Sequence, residues 1–256
     1  MLILIGGFSA CKLNNVEQDT APATYFEQNN LEGTFALLDN THEQFTVYNL
    51  KRYRDSTFAP GGTFEVLSAM LAIETGRVND QNSLIKVAGD STKSISLADA
   101  FKLSNHPAFN EVATMIGKDT MQYWLDSLHY GKAKIKSDQE RFWSNDSLKI
   151  TPDEQLGFIA KVYFVSLPFQ KRTQEIVRKL MIKENNTLYT LAYKTSWNQS
   201  PSGKYNGWIT GWVEENLHIY FFVINADPIN GQPTEGSLVK TAKAVLAHYG
   251  FFRGKK

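Results

Sequence analysis

Apolar positions recur along this chain with two different periods, and the change of period divides it into thirds. Near the start, residues 33–39 and 45–49 read as a pair of strands, with Asn40, Thr41 and His42 supplying the turn between them. A basic loop then leads to the breaker cluster Pro60-Gly61-Gly62. Beyond it Phe64, Leu67, Ala69, Leu71 and Ile73 form a mostly apolar segment closed by Gly76, which predicts a buried helix. From Leu97 to about Leu180 the spacing is helical, over 97–103, 108–116, 120–128, 152–165 and 174–181. Pro152 suits a first helical turn, with Thr151 as its cap and Glu154 placed to complete a capping box. The last third returns to strands at 187–193, 207–214 and 218–225, then ends in an amphipathic helix over 236–249. Strands at both ends around a helical middle imply an α+β domain. The N- and C-terminal segments would build one antiparallel sheet flanked by helices, and the middle a helical subdomain beside it.

The N-terminus changes the picture. Met1 to Ala10 is a short apolar run ending in small residues just before Cys11, similar to the end of a bacterial lipoprotein signal with a lipidated cysteine. The run is too short to span a bilayer and lacks a positive n-region. Residues 12–20 are polar, as a tether would be. The expected division is therefore a signal remnant at 1–10, a tether at 11–25 and one domain at 26–256, exported to the periplasm or outer membrane and anchored through Cys11. The competing reading is a buried first strand with an incidental cysteine. Cys11 is the only cysteine, so no disulfide forms within the chain. With 27 basic against 26 acidic residues over 256 positions, nothing indicates a nucleic-acid partner. His42, His129, His218 and His248 show no metal-ligand spacing, and no cofactor or metal is expected. Arg253-Gly254-Lys255-Lys256 reads as a solvated tail. Trp197, Trp208 and Trp212 read as strand aromatics packed in the core.

Phe58-Ala59-Pro60-Gly61-Gly62-Thr63-Phe64-Glu65, running into Ala72-Ile73-Glu74-Thr75-Gly76, resembles the nucleophile motif of the class D β-lactamases, F-x-P-A-S-T-F-K followed by L-I-A-L-E-T-G. Further blocks follow in the family's order. Residues 97–104 resemble the approach to its S-x-V motif, and Tyr130-Gly131-Lys132 stands where it has Y-G-N. Phe142-Trp143 and 148–152 resemble its FW and LKISP stretches. Lys194-Thr195-Ser196 stands at its K-[TS]-G position, and 207–213 resemble the next strand. The resemblance spans residues 32–226 and implies the serine β-lactamase and transpeptidase-like fold of the penicillin-binding proteins.

The family's reaction is acyl transfer. A serine at the start of the buried helix attacks the β-lactam carbonyl, and a lysine one helical turn on, carbamylated in this class, serves as base. This chain has Gly62 at the serine position and Glu65 at the lysine position. Thr63 has Val66 three residues on, so it gains no base at helical spacing. His106 replaces the valine of S-x-V, Lys132 the asparagine of Y-G-N, and Ser196 the glycine of K-[TS]-G, which puts the oxyanion hole in doubt. No arginine stands near the start of the final helix, where the family's substrate-carboxylate arginine lies; Lys240 is the nearest cation, and a point charge substitutes poorly for a bidentate fork. The S-x-x-K strings beginning at Ser9, Ser83 and Ser237 lack the Pro-rich entry into a buried helix. Ser104, Trp143, Lys194 and Thr195 survive. They either mark a pocket that still binds cell-wall peptide or β-lactam without reacting, or persist because they hold the fold.

The expectation is accordingly a catalytically inactive, class D β-lactamase-like lipoprotein with a binding or scaffolding role at the cell envelope. The alternatives are a divergent active β-lactamase and a penicillin-binding sensor domain.

Overall fold

A computed structural model describes residues 15–135, 141–145, 147–234 and 236–256. The chain enters through β1 (Val16–Gln18) and α1 (Pro22–Gln28), then forms the hairpin β2 (Leu31–Asp39) and β3 (Gln44–Tyr48). Next come α2 (Leu50–Asp55), a 3-10 turn at Gly61–Phe64 and α3 (Glu65–Glu74). A second hairpin, β4 (Leu84–Val87) and β5 (Asp90–Ser96), precedes α4 (Leu97–Leu103), α5 (His106–Ile116) and α6 (Lys118–Leu128). The short pair β6 (Lys132–Ala133) and β7 (Leu148–Lys149) leads to α7 (Pro152–Tyr163) and α8 (Lys171–Leu180). The chain closes with β8 (Ile182–Asn185), β9 (Tyr189–Gln199), β10 (Tyr205–Glu215), β11 (His218–Pro228) and α9 (Ser237–His248).

Seven strands make one sheet in the order β1-β3-β2-β11-β10-β9-β8, antiparallel except for β1 on β3. The first hairpin thus joins the last strands through β2 and β11, as the terminal segments were expected to do. Alternate residues of β11 face opposite layers. Tyr220, Phe222 and Ile224 pack with Phe26 of α1 and Leu238, Val245 and Leu246 of α9, while Phe221 and Val223 pack toward α3 and α7. Both faces are covered, so the central strands are apolar throughout rather than alternating.

Helix α3 is buried along its length from Glu65 to Ile73. A helix apolar all round belongs inside a core, and this one is surrounded by the helical subdomain on one side and the sheet on the other. The predicted capping box is present on α7: Glu154 N–H donates to Thr151 Oγ1 at 3.1 Å, and Thr151 N–H to Glu154 Oε2 at 2.9 Å.

Three expectations need correction. The stretch read as a basic loop contains α2, started by Asn49, whose side chain accepts from Arg52 N–H, and held by the buried Tyr53. Within the expected tether, residues 16–18 form an edge strand on β3 and Pro22 opens α1; Cys11 lies outside the described residues. The terminal basic segment is fastened: the buried Glu215 carboxylate accepts backbone N–H groups from Phe252, Lys255 and Lys256.

Candidate functional site

The 3-10 turn brings residues 61–64 against β9, and the site forms at that junction. Gly61 has φ +55°, and a Cβ there would stand 2.8 Å from Ser196 Oγ, so both conformation and space call for glycine. Its N–H donates to Trp143 O at 2.8 Å. Gly62 follows with its N–H donating to Ser196 Oγ at 2.7 Å. A Cβ on residue 62 would meet Ser196 Oγ at 3.0 Å, Ser196 Cβ at 3.3 Å and Glu65 Oε1 at 3.4 Å. The Ser196 hydroxyl therefore crowds the space a side chain at 62 would take.

Glu65 opens α3 and is 1% exposed. Its Oε2 lies 2.6 Å from Lys194 Nζ, and its Oε1 3.3 Å from His106 Nδ1. No further donor among the described residues reaches either oxygen. Lys194, equally buried, also donates to Phe101 O at 2.6 Å and Ser104 Oγ at 3.0 Å, and sits over the Phe101 ring at 4.3 Å. Burial pulls the Lys194 ammonium below its ordinary range, and the Glu65 carboxylate opposes that pull. Lys183 is lowered too, by burial first and then by Lys194 and Lys102.

Ser104 is placed by the end of α4, where it adopts φ +49° as the helix cap and turns its hydroxyl to Lys194. His106 begins α5 two residues later, its side chain 39% exposed. Ser104, His106, Thr195, Ser196 and Trp197 line one side of a cavity of about 220 Å³, closed opposite by Gly236, Leu238 and Val239 of the α9 entry.

The structure thus gathers Gly62, Glu65, Ser104, His106, Lys194, Thr195 and Ser196. It leaves out two of the expected pocket residues. Lys132 is exposed in β6, opposite Lys149 of β7. Trp143 is a core residue, stacked on Phe64 with ring centroids 5.5 Å apart. Trp208 and Trp212 are buried as expected, but Trp197 is half-buried, lies across Gly207 and lines the cavity. Lys240 is exposed near Gly236, at the cavity's rim. Phe101, whose carbonyl and ring both face Lys194, was missed. A backbone acceptor carries no signal in residue type.

Among the described residues no group of three or more His, Cys, Asp or Glu could hold a metal ion, and no helix is long and apolar enough to cross a membrane. His42 pairs with Asp39, His218 bonds Thr41 and His248 bonds Tyr25.

The arrangement offers a carboxylate shared between an ammonium and an imidazole, hydroxyls at Ser104, Thr195 and Ser196, and a small, mostly apolar hollow. The family model for the penicillin binding protein transpeptidase domain matches residues 25–247. The chain is 30% identical over 209 residues to β-lactamase OXA-48 of Klebsiella pneumoniae, covering 79% of this chain and 78% of that one. The crystal structure of FUS-1 (OXA-85), a class D β-lactamase from Fusobacterium nucleatum subsp. polymorphum, superposes with a TM-score of 0.83 at 28% identity, over 94% of this chain and 100% of that one. The C-terminal domain of the Bacillus licheniformis BlaR penicillin receptor gives a TM-score of 0.83 at 27% identity, over 93% and 98%. With motif order, sheet topology and these likenesses in agreement, the chain belongs to the penicillin-binding transpeptidase-domain family, on its class D β-lactamase-like side.

Proposed function

We propose that this chain is a non-acylating member of the family that acts by non-covalent binding or contact at the cell envelope. One observation carries the reading: the group at the family's base position, Glu65, is consumed in a buried ion pair with Lys194 at 2.6 Å. Acyl transfer needs a nucleophile and a base acting as a unit, and loss of either member removes most of the rate. Residue 62 has no side chain to attack with. Its N–H, which would steady the oxyanion of an acyl-transfer intermediate, is engaged by Ser196 Oγ at 2.7 Å. What is left is the cavity of about 220 Å³ beside Ser104 and Trp197, suited to a small part of a β-lactam or cell-wall peptide held without a covalent bond.

The test is incubation with a fluorescent penicillin followed by a denaturing gel. No covalent band is expected, while calorimetry with β-lactams and cell-wall peptide fragments reports any reversible binding. A second reading, a divergent active hydrolase, has one observation in its favour: the Ser196 hydroxyl lies 3.0 Å from where a Cβ on residue 62 would stand. A labelled band that disappears in Ser196→Ala would establish that reading and remove ours.

The envelope location rests on Cys11 following the apolar run 1–10. Radiolabelled palmitate should be incorporated by the chain and not by its Cys11→Ser variant.

A further inference from the structure

We propose that the pole of the sheet carrying the β8–β9 and β10–β11 turns is a docking surface for an anionic phospholipid bilayer. In the β10–β11 turn Asn216 and Leu217 both have positive φ, +50° and +65°. Hairpin turns of this kind favour glycine at the second position. Leucine accepts the backbone strain there and gains no burial, since Leu217 is 98% exposed. Leu188, in the neighbouring β8–β9 turn, is 49% exposed, and its Cδ2 would lie 3.1 Å from a Cβ on Gly254. Asn216 Nδ2 donates to the Gly254 carbonyl at 2.8 Å. Two apolar tips therefore flank the basic segment 253–256.

That segment is fixed in place. The buried Glu215 carboxylate accepts from Phe252 N–H at 2.9 Å, Lys255 N–H at 2.7 Å and Lys256 N–H at 3.3 Å. Arg253, Lys255 and Lys256 are exposed on this segment, with Lys256 Nζ 5.4 Å over the Phe251 ring. Of the acids nearby, Asp39 bonds His42, Glu184 pairs with Lys243 and Glu214 accepts from Tyr163, while Glu43 remains exposed. Apolar tips set among cations match the boundary between acyl chains and anionic headgroups.

The course of the chain is an independent observation. Phe45 N–H donates to Asn15 O, and Asn15 Nδ2 to Glu43 O, so the chain enters the fold at this same pole, a few residues after Cys11. Gly62, Ser196 and the cavity lie toward the other end of β9, so docking would turn the cavity away from the lipid. The leucine tips and the basic segment carry the proposal by themselves; only the point of chain entry invokes an anchor at Cys11, and none of it rests on the non-acylating reading.

The test uses the full chain with Cys11→Ser, so that one new cysteine can carry an environment-sensitive fluorophore. The probe is placed at Leu217→Cys, or at Ser202→Cys in the exposed β9–β10 turn of the opposite pole. Vesicles of equal phosphatidylglycerol and phosphatidylcholine should shift the emission at 217 to the blue and leave 202 unmoved, and pure phosphatidylcholine should do neither. Arg253→Gln, Lys255→Gln and Lys256→Gln should each weaken partitioning by about fivefold, and added salt should weaken it further. No shift at 217, equal shifts with both vesicle types, or equal shifts at both positions would overturn the proposal. So would a concentration-dependent shift without vesicles, which would mark self-association.

Discussion

Glu65→Gln keeps the shape of the side chain and removes its charge, leaving Lys194 as a buried cation with only neutral acceptors, the amide oxygen at 65, Phe101 O and Ser104 Oγ, to receive it. Both partners of the pair are 1% exposed, so solvent cannot replace the lost carboxylate. Breaking one side of such a pair costs about 3–5 kcal/mol. For a domain of this size each kcal/mol moves the melting temperature by roughly 2–4 °C, which gives a fall of about 6–20 °C. Lys194→Met should cost a similar amount, because it strands the carboxylate with only the partly exposed His106. The double variant Glu65→Gln/Lys194→Met removes both charges and should recover most of the loss, since apolar replacement of a buried pair is often neutral. The loss should also depend on pH. Burial already holds Lys194 below its ordinary range, and Glu65 opposes that pull, so removing the carboxylate lowers the folded-state pKa further. Between that value and the unfolded lysine value near 10.4, the unfolded chain binds the extra proton, so the variant gains stability as pH rises. Thermal melts of the four proteins from pH 7 to 10 complete the cycle. A coupling energy under about 1 kcal/mol, or a Glu65→Gln variant as stable as its parent at pH 7, would refute the pairing.

Reversion of the motif offers another test. Gly62→Ser should destabilise by about 1–3 kcal/mol through contact with Ser196, and Glu65→Lys would set two buried ammonium groups together. Gly62→Ser with Ser196→Gly should melt well above Gly62→Ser alone, and any chromogenic β-lactam turnover should appear in Gly62→Ser/Glu65→Lys/Ser196→Gly before it appears in the variant lacking the third change. Gly211→Ala should prevent correct folding, because its Cβ would fall 1.9 Å from Ala192 O in the neighbouring strand, as soluble yield and circular dichroism would show. On the acid side, the Ala21 N–H and the Tyr249 hydroxyl hold the Asp19 carboxyl below its ordinary value. Its contribution is present above about pH 4 and is lost as pH falls through the lowered folded pKa. Asp19→Asn should therefore cost less than about 1 kcal/mol at pH 7, and the cost should shrink as pH falls below about 4 in chemical unfolding.

Much of the fold was legible because the responsible signals are local. The rhythm of 218–225 and the Thr151-Pro152-Glu154 start each depend on neighbours a few residues apart. Short elements were harder to see. Helix α2 follows an Asn49 cap in an otherwise charged stretch, and β1 is an edge strand whose partner lies nearly thirty residues away. The basic segment 253–256 looked solvated because its anchor, Glu215, is distant in sequence and binds backbone groups that every residue possesses. Lys132 shows the opposite case: its place in a Y-G-N-like motif suggests the pocket, whereas it stands exposed in the β6–β7 pair and is not among the residues lining the cavity.

The site shows why separate mismatches to a motif can be one structural event. Gly62 lacks the hydroxyl the motif expects, and Ser196, 134 residues later, carries one the motif excludes. In space the two meet: the hydroxyl at 196 accepts from the Gly62 amide at 2.7 Å and occupies room that a side chain at 62 would need. Glu65 likewise brings a carboxylate where the motif has a second lysine, and it meets the lysine that remains, Lys194. Simple decay of an unused site predicts orphaned groups: a buried ammonium without a counter-charge, an amide without an acceptor, a hollow behind a missing side chain. Each would cost on the order of 1–5 kcal/mol against a total stability of about 5–15. Here the two exchanges compensate each other pairwise across β9, the 3-10 turn and α3. Compensation of that kind keeps the scaffold stable whatever these residues do chemically, which the non-acylating function proposed above requires.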